Sequence, residues 1–158
     1  MRTPDQINHQ GKALKMMPSA EPGRPVILVT DDELLILQYI RHVLQLADFT
    51  VITTTTADQA WAILKRRLAE IDLVLTDIVM PGSIDGLELA ARLRELDRNL
   101  PVLFMTGALL EDDPRTGGVI EKQSLLRKPF FPKQLVDFVG ARIRNRPNGF
   151  AGKSFPRD

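Results

Sequence analysis

Short apolar runs alternate with amphipathic stretches along most of this chain. Five runs rich in Val, Ile, Leu, Thr and Phe are typical of strands buried on both faces: residues 26–29, 50–54, 73–76, 101–105 and 125–127. Apolar residues at helical spacing predict one buried helix face in each of four further segments: Ile36, Ile40, Val43, Leu44 and Ala47; Ala57, Ala60, Trp61, Leu64 and Leu68; Leu89, Ala90, Leu93 and Leu96; Leu135, Phe138, Val139 and Ile143. This alternation predicts an α/β fold, with a parallel sheet covered by helices on both faces.

Three segments depart from the alternation. Residues 1–25 and 146–158 are rich in Gly and Pro, and we expect a flexible N-terminal extension and a flexible basic tail. The alternation predicts a helix in 107–123. Because Gly117 and Gly118 each cost about 1 kcal/mol inside a helix, we expect this helix to be irregular. One domain, 26–145, remains.

Composition narrows the class of protein. The chain has 158 residues, 44% hydrophobic and 26% charged, which is ordinary for a globular domain and excludes collagen-like or wholly disordered chains. It has no Cys, which excludes disulfides, thiol catalysis and Cys-ligated zinc. Since no apolar run approaches the roughly 20 residues of a membrane helix, and no secretory signal is evident, we expect a cytoplasmic protein.

The charge pattern argues against a nucleic-acid-binding domain. The net charge of +1 combines an acidic body, 26–139, with basic ends at 1–25 and 140–158. A nucleic-acid-binding domain would instead carry its positive charge across one folded face.

Polar residues follow four of the five predicted strands. Asp31 and Asp32 follow the first, Asp77 the third, Thr106 the fourth and Lys128 the fifth. Since the carboxyl ends of parallel strands share one edge of the sheet, we expect these side chains to converge there. Three carboxylates would repel one another, and a divalent cation relieves that conflict. Oxygen ligands without His or Cys favour Mg²⁺ or Mn²⁺.

Lys128 indicates a second ligand at this edge. An ammonium group beside a bound cation requires an anion between them, and a phosphoryl group can share its oxygens among the metal, Lys128 and the Thr106 hydroxyl. A carboxylate can attack phosphorus and form an aspartyl phosphate. Asp77 is the best candidate because it ends a central strand and is flanked by the other groups.

Four sequence segments resemble receiver domains of two-component response regulators. They are residues 26–33, 77–86, 104–107 and 127–130, which read VILVTDDE, DIVMPGSIDG, FMTG and RKPF. The resemblance covers about 26–145 and extends to the spacing between the polar residues. It implies a flavodoxin-like, doubly wound, five-stranded parallel sheet with strand order 2-1-3-4-5.

The resemblance also implies roles in phosphorylation. Asp77 would accept a phosphoryl group from a phosphohistidine on a sensor histidine kinase or a histidine phosphotransfer protein. Asp32, Asp77 and the main-chain carbonyl of Val79 would ligate Mg²⁺, and Asp31 would act directly or through water. We therefore expect a phosphoacceptor signalling protein whose own catalysis is at most slow autodephosphorylation.

The remaining roles concern how the phosphorylated state is read. Thr106 would swing toward the phosphoryl group, Lys128 would neutralise its charge, and the Lys128–Pro129 bond would be cis. Leu125 stands where the family often has an aromatic switch residue. Together with the irregular 107–123 segment, it predicts intact phosphate chemistry with a modified readout.

The expected protein is a free-standing receiver. About a dozen residues follow the last predicted helix, so we expect no attached DNA-binding domain and an output through an unknown downstream protein, from a monomer or a phosphorylation-dependent homodimer. One alternative is a phosphorylation-independent binding module that retains the acidic pocket. A Mg²⁺-dependent phosphatase ranks last, because Val79 occupies the position of its second acid. We interpret Asp85 as a turn or helix cap and Trp61 as core.

Overall fold

A computed structural model describes residues 23–107 and 120–145 of the chain. Its strands are β1 (Val26–Thr30), β2 (Thr50–Thr54), β3 (Leu73–Asp77), β4 (Val102–Thr106) and β5 (Leu125–Arg127). Its α-helices are α1 (Leu34–Leu46), α2 (Ala57–Arg67), α3 (Gly86–Leu96) and α4 (Pro132–Arg144), and two 3₁₀ turns span Leu68–Glu70 and Lys122–Ser124. The five predicted strands are present, as are the four helices predicted from the spacing of apolar residues.

The five strands form one parallel sheet in the order β2-β1-β3-β4-β5. Thr30 of β1 pairs with both Thr54 of β2 and Thr76 of β3, and Asp77 pairs with Met105 of β4. Four neighbouring strands, β2, β1, β3 and β4, therefore end within two residues of the same level. The predicted fold class and strand order are confirmed.

Alternate residues of β1 belong to two separate cores. Ile27 and Val29 pack on one face of the sheet with buried residues of α1 and α4. Val26 and Leu28 pack on the other face with buried residues of α2 and α3. A parallel strand covered on both sides needs an apolar residue at every position, which explains the unbroken VILV run.

Helix starts are capped where the sequence offers a suitable side chain. The side chain of Asp85 accepts a hydrogen bond from the Glu88 N–H at 3.0 Å and caps α3, as predicted. Thr56 caps α2 by accepting from the Gln59 N–H at 3.2 Å. Trp61 packs against the core as predicted, with Lys65 Nζ 5.9 Å from its ring centroid.

Some predictions fall outside the described residues. These concern nearly all of the N-terminal extension, the whole basic tail and residues 108–119 of the segment expected to hold an irregular helix. None of the helices in the described ranges combines the length and apolar character needed to cross a bilayer.

Candidate functional site

Adjacent strands bring two aspartates to one edge of the sheet. β1 and β3 are paired so that Thr30 lies opposite Thr76, which places Asp31 and Asp77 side by side. Lys128 follows β5, and its N–H donates to the Thr106 carbonyl at 2.8 Å. The carboxyl ends of β1, β3 and β5 thus contribute Asp31, Asp77 and Lys128, respectively.

The ammonium group of Lys128 lies between these carboxylates. Its Nζ is 2.6 Å from Asp31 Oδ2, 2.7 Å from Asp77 Oδ2 and 3.5 Å from Glu33 Oε1. The Lys128 and Asp77 side chains are only 11% and 10% exposed, and that of Asp31 is completely buried. The predicted convergence of Asp31, Asp77 and Lys128 is present.

Main-chain N–H groups orient both aspartates. Asp31 Oδ1 accepts from the Glu33 N–H at 2.9 Å, and Asp77 Oδ1 accepts from the Val79 N–H at 3.3 Å. In each case the donor lies two residues after the acid, as in an Asx turn. Each carboxylate therefore turns its other oxygen toward Lys128.

Burial and charge shift the pKa values of Asp31 and Lys128. Burial raises the pKa of Asp31, and the hydrogen bond and charge of Lys128 offset this only in part. Burial lowers the pKa of Lys128, but its hydrogen bonds to Asp31 and Asp77 and their charges outweigh it and raise that pKa to about 12. Lys128 is therefore a permanent cation at neutral pH.

A third acid joins the cluster, and it is not the one that the sequence indicated. Oxygens of Asp31, Glu33 and Asp77 lie within 4.8 Å of one another. Asp32, predicted as a direct metal ligand, is exposed and is not among the three. Glu33 belongs to the run Asp31-Asp32-Glu33, so the sequence made it a candidate ligand. A run of acids, however, does not show which of its side chains turn toward the site.

The structure places Thr106 at the end of β4 and Val79 in the loop after β3. Thr106 is buried at the end of β4, one residue past the Asp77–Met105 pair. Val79 is 58% exposed in the loop after β3, where its N–H binds Asp77. The Lys128–Pro129 bond is cis, as the resemblance implied.

Gly86 allows α3 to begin directly against the site. A Cβ at Gly86 would lie 1.9 Å from the main-chain oxygen of Asp77, which no real side chain tolerates. Its N–H donates to the Ile78 carbonyl at 3.0 Å, so the close approach is part of the loop that follows Asp77. The sequence indicated a turn here but not its proximity to Asp77.

The donor chemistry of the pocket fits a hard divalent cation. The three carboxylates, whose oxygens lie within 4.8 Å of one another, offer only oxygen donors, which Mg²⁺ and Mn²⁺ prefer. The adjacent ammonium can bind an anion beside such a cation. The arrangement can therefore neutralise a phosphoryl group near the Asp77 carboxylate.

Comparison with known proteins gives consistent matches. Residues 27–140 match the family model of the response regulator receiver domain. The chain is 33% identical over 125 residues to the phosphate regulon transcriptional regulatory protein PhoB of Pseudomonas aeruginosa, covering 78% of this chain and 53% of PhoB. It is also 33% identical over 126 residues to the regulatory protein VanR of Enterococcus faecium, covering 80% of this chain and 52% of VanR. The chain thus spans about half the length of these curated relatives.

Solved structures agree with this match. A response regulator receiver protein from Sinorhizobium medicae has a TM-score of 0.69 and 31% identity, covering 78% of this chain and 97% of that chain. A CheY-like receiver domain protein from Methanospirillum hungatei has the same TM-score at 23% identity, covering 79% of this chain and 98% of that chain, and supports the fold alone.

Proposed function

The chain belongs to the family of response regulator receiver domains, and on this basis we propose that Asp77 is its reversible phosphoacceptor in a two-component phosphorelay. The observation that carries the proposal is the position of Lys128 Nζ, within 2.7 Å of oxygens of both Asp31 and Asp77. The Lys128 ammonium group, held there by carboxylates, can form a stronger charge-assisted hydrogen bond to a dianionic phosphoryl group, which carries more negative charge than one carboxylate.

In the transfer step, the Asp77 carboxylate acts as the nucleophile. A carboxylate oxygen forms a bond to phosphorus while the bond from phosphorus to the donor's imidazole nitrogen breaks. The imidazole leaves with the electron pair and takes up a proton. Lys128 follows the negative charge from the carboxylate oxygen to the phosphoryl oxygens, while the Val79 N–H continues to orient Asp77.

We assign the metal site to the same edge of the sheet. As the resemblance implies, Asp32, Asp77 and the Val79 carbonyl would hold Mg²⁺ or Mn²⁺, with Asp31 acting directly or through water; Asp32, which is exposed in the structure, would turn toward Asp77 to do so. When bound, the ion supplies positive charge that offsets the carboxylates and the incoming phosphoryl group. Glu33, whose oxygen lies within 4.8 Å of those of Asp31 and Asp77, adds negative charge to this site.

Thr106 would report the phosphorylated state. It is buried at the end of β4, and its carbonyl accepts the Lys128 N–H. We assign its hydroxyl to a hydrogen bond with a phosphoryl oxygen. This bond would link the β4 end to the new charge on Asp77.

Exposed apolar side chains near the site support a protein as the phosphodonor. Leu34, Leu35, Val79 and Phe131 are 63%, 79%, 58% and 76% exposed. Each lies within three residues, along the chain, of Glu33, Asp77 or Lys128. Exposed apolar side chains that lie together mark protein-interaction surfaces, and we assign these four to the docking of a histidine kinase or a histidine phosphotransfer protein.

Mass spectrometry tests the proposal directly. We expect incubation with Mg²⁺ and a small acyl phosphate to add one phosphoryl group to the wild type and none to Asp77→Asn. Asp137→Asn is the matched control, because Asp137 is an exposed aspartate on α4 that pairs with Lys133. The absence of an adduct on the wild type at saturating donor, or its persistence in Asp77→Asn, would overturn the assignment.

A partner-capture experiment separates this function from the phosphorylation-independent alternative. Under the proposal, partners captured with phosphodonor present differ between the wild type and Asp77→Asn. Identical capture with and without donor would support the alternative.

A further inference from the structure

Tyr39, the single tyrosine of the chain, connects α1 to the segment after Lys128. Its Oη donates a hydrogen bond to the Phe130 carbonyl at 3.1 Å, across 91 residues of sequence. The two rings also pack, with centroids 6.0 Å apart and planes inclined at 41°. Neither the motifs nor the proposed chemistry assigns a role to Tyr39.

One residue of the segment 128–131 has no main-chain donor. Pro129 has no N–H. The Lys128 N–H donates to Thr106 of β4, and the Phe131 N–H donates to Gln134 Oε1 of α4 at 2.8 Å. Tyr39 adds a bond to the middle of this segment from a different element, α1.

Two contacts thus join the same pair of segments. Asp31, just before α1, binds Lys128 at 2.6 Å, and Tyr39, within α1, binds Phe130 at 3.1 Å. Together with the bonds of Lys128 to Asp77 and to the Thr106 carbonyl, these two attachments restrict rotation of the segment relative to α1. Release of the Tyr39 contact would let the Lys128 main chain shift, and the ammonium group would shift with it.

We propose that Tyr39 is a positioning residue that holds Lys128 in place for phosphoryl transfer. The inference rests on the proposed function, because it assigns Tyr39 to the same reaction. Tyr39 acts through the Phe130 carbonyl and does not itself contact Asp77 or the phosphoryl group. Its hydroxyl is the group that matters, since the ring alone would supply only packing.

A double-mutant cycle tests the link to Lys128. Tyr39→Phe removes the hydroxyl and keeps the ring, so we expect acyl phosphate to label it about 2- to 10-fold more slowly, the range of one neutral hydrogen bond. In a Lys128→Ala background the same change should alter the slow residual rate less than about 2-fold. Gln38→Ala, at an exposed neighbouring position of α1, is the control and should match the wild type.

Amide hydrogen exchange provides a readout that needs no phosphorylation. Tyr39→Phe should speed exchange of the Lys128 and Phe131 amides relative to the wild type, whereas Gln38→Ala should leave both unchanged. Unchanged exchange in Tyr39→Phe would overturn the positioning role, as would unchanged labelling or an equal slowing with and without Lys128. If the wild type takes up no phosphoryl group, the proposed function fails, and so does the catalytic part of this inference, while the exchange rates still decide whether Tyr39 holds the segment.

Discussion

Replacing Lys128 with Met should destabilise the protein strongly, because it leaves buried carboxylates without their cation. Lys128 Nζ contacts Asp31 and Asp77 at 2.6 and 2.7 Å, and the Asp31 side chain is 0% exposed. Removing one partner of a buried ion pair costs about 3–5 kcal/mol. Methionine keeps the apolar stem of lysine, so the loss reflects the charge. We expect the free energy of unfolding in urea to fall by about 3 kcal/mol at mildly alkaline pH.

Lys133→Met is the matched control for this prediction. Lys133 Nζ lies 2.6 Å from Asp137 Oδ2, the same distance as Lys128 from Asp31, but these side chains are 86% and 61% exposed. Exposed pairs four residues apart on a helix contribute about 0.3–0.5 kcal/mol, so we expect this substitution to cost no more. The difference between the two lysines then measures the combined effect of burial and of the additional carboxylates that contact Lys128.

The cost of Lys128→Met should depend on pH in a defined direction. Burial already raises the pKa of Asp31, and loss of Lys128 raises it further. A raised folded-state pKa adds stability that is complete below the unfolded value near 3.8 and is lost as pH rises through the folded pKa. Lys128 itself stays charged over this range, because its pKa is raised to about 12.

Urea unfolding from acidic to mildly alkaline pH measures this dependence. We expect the cost of Lys128→Met to be small in acid and to reach its full value once Asp31 ionises. An equal cost for Lys128→Met and Lys133→Met, or a cost that grows toward acid, would refute the reasoning.

Four further predictions concern the site and the helices around it. Mg²⁺ at 100 times its dissociation constant should add about 2.7 kcal/mol to the stability of the wild type in thermal unfolding, and clearly less to Asp77→Asn. Gly86→Ala should cost more than about 3 kcal/mol and weaken Mg²⁺ binding measured by calorimetry, because the added carbon meets the Asp77 main chain at 1.9 Å. Gly140→Ala in α4 meets only a flexible arginine side chain, at 3.3 Å, and should be neutral or stabilising by up to about 1 kcal/mol in urea unfolding. Asp85→Ala should cost about 1 kcal/mol in the same assay, because it removes the cap of α3.

Hydrophobic patterning predicted the strands better than the faces of the helices. The run VILV is apolar at every position, and β1 is buried at every position. In α1, however, the stripe was placed on Ile36, whereas Leu37 is the buried residue and Ile36 is only partly buried. Leu34 and Leu35 are exposed. Four consecutive apolar residues fit more than one helical phase, and packing against the sheet selects among them.

The sequence alone determined the α/β fold and placed acids, a hydroxyl and a lysine at the carboxyl ends of strands, because alternation and strand ends are local properties of the chain. It did not determine that Asp31 and Glu33, rather than Asp32, lie beside Asp77. It predicted that Lys128 converges with Asp31 and Asp77, but it did not indicate that these carboxylates are buried and bind Lys128 directly, or that Tyr39 binds Phe130. These contacts join residues that are 44 to 97 positions apart. Side-chain direction at a strand end and contact between distant segments depend on how elements pack in three dimensions, and only the tertiary structure decides that.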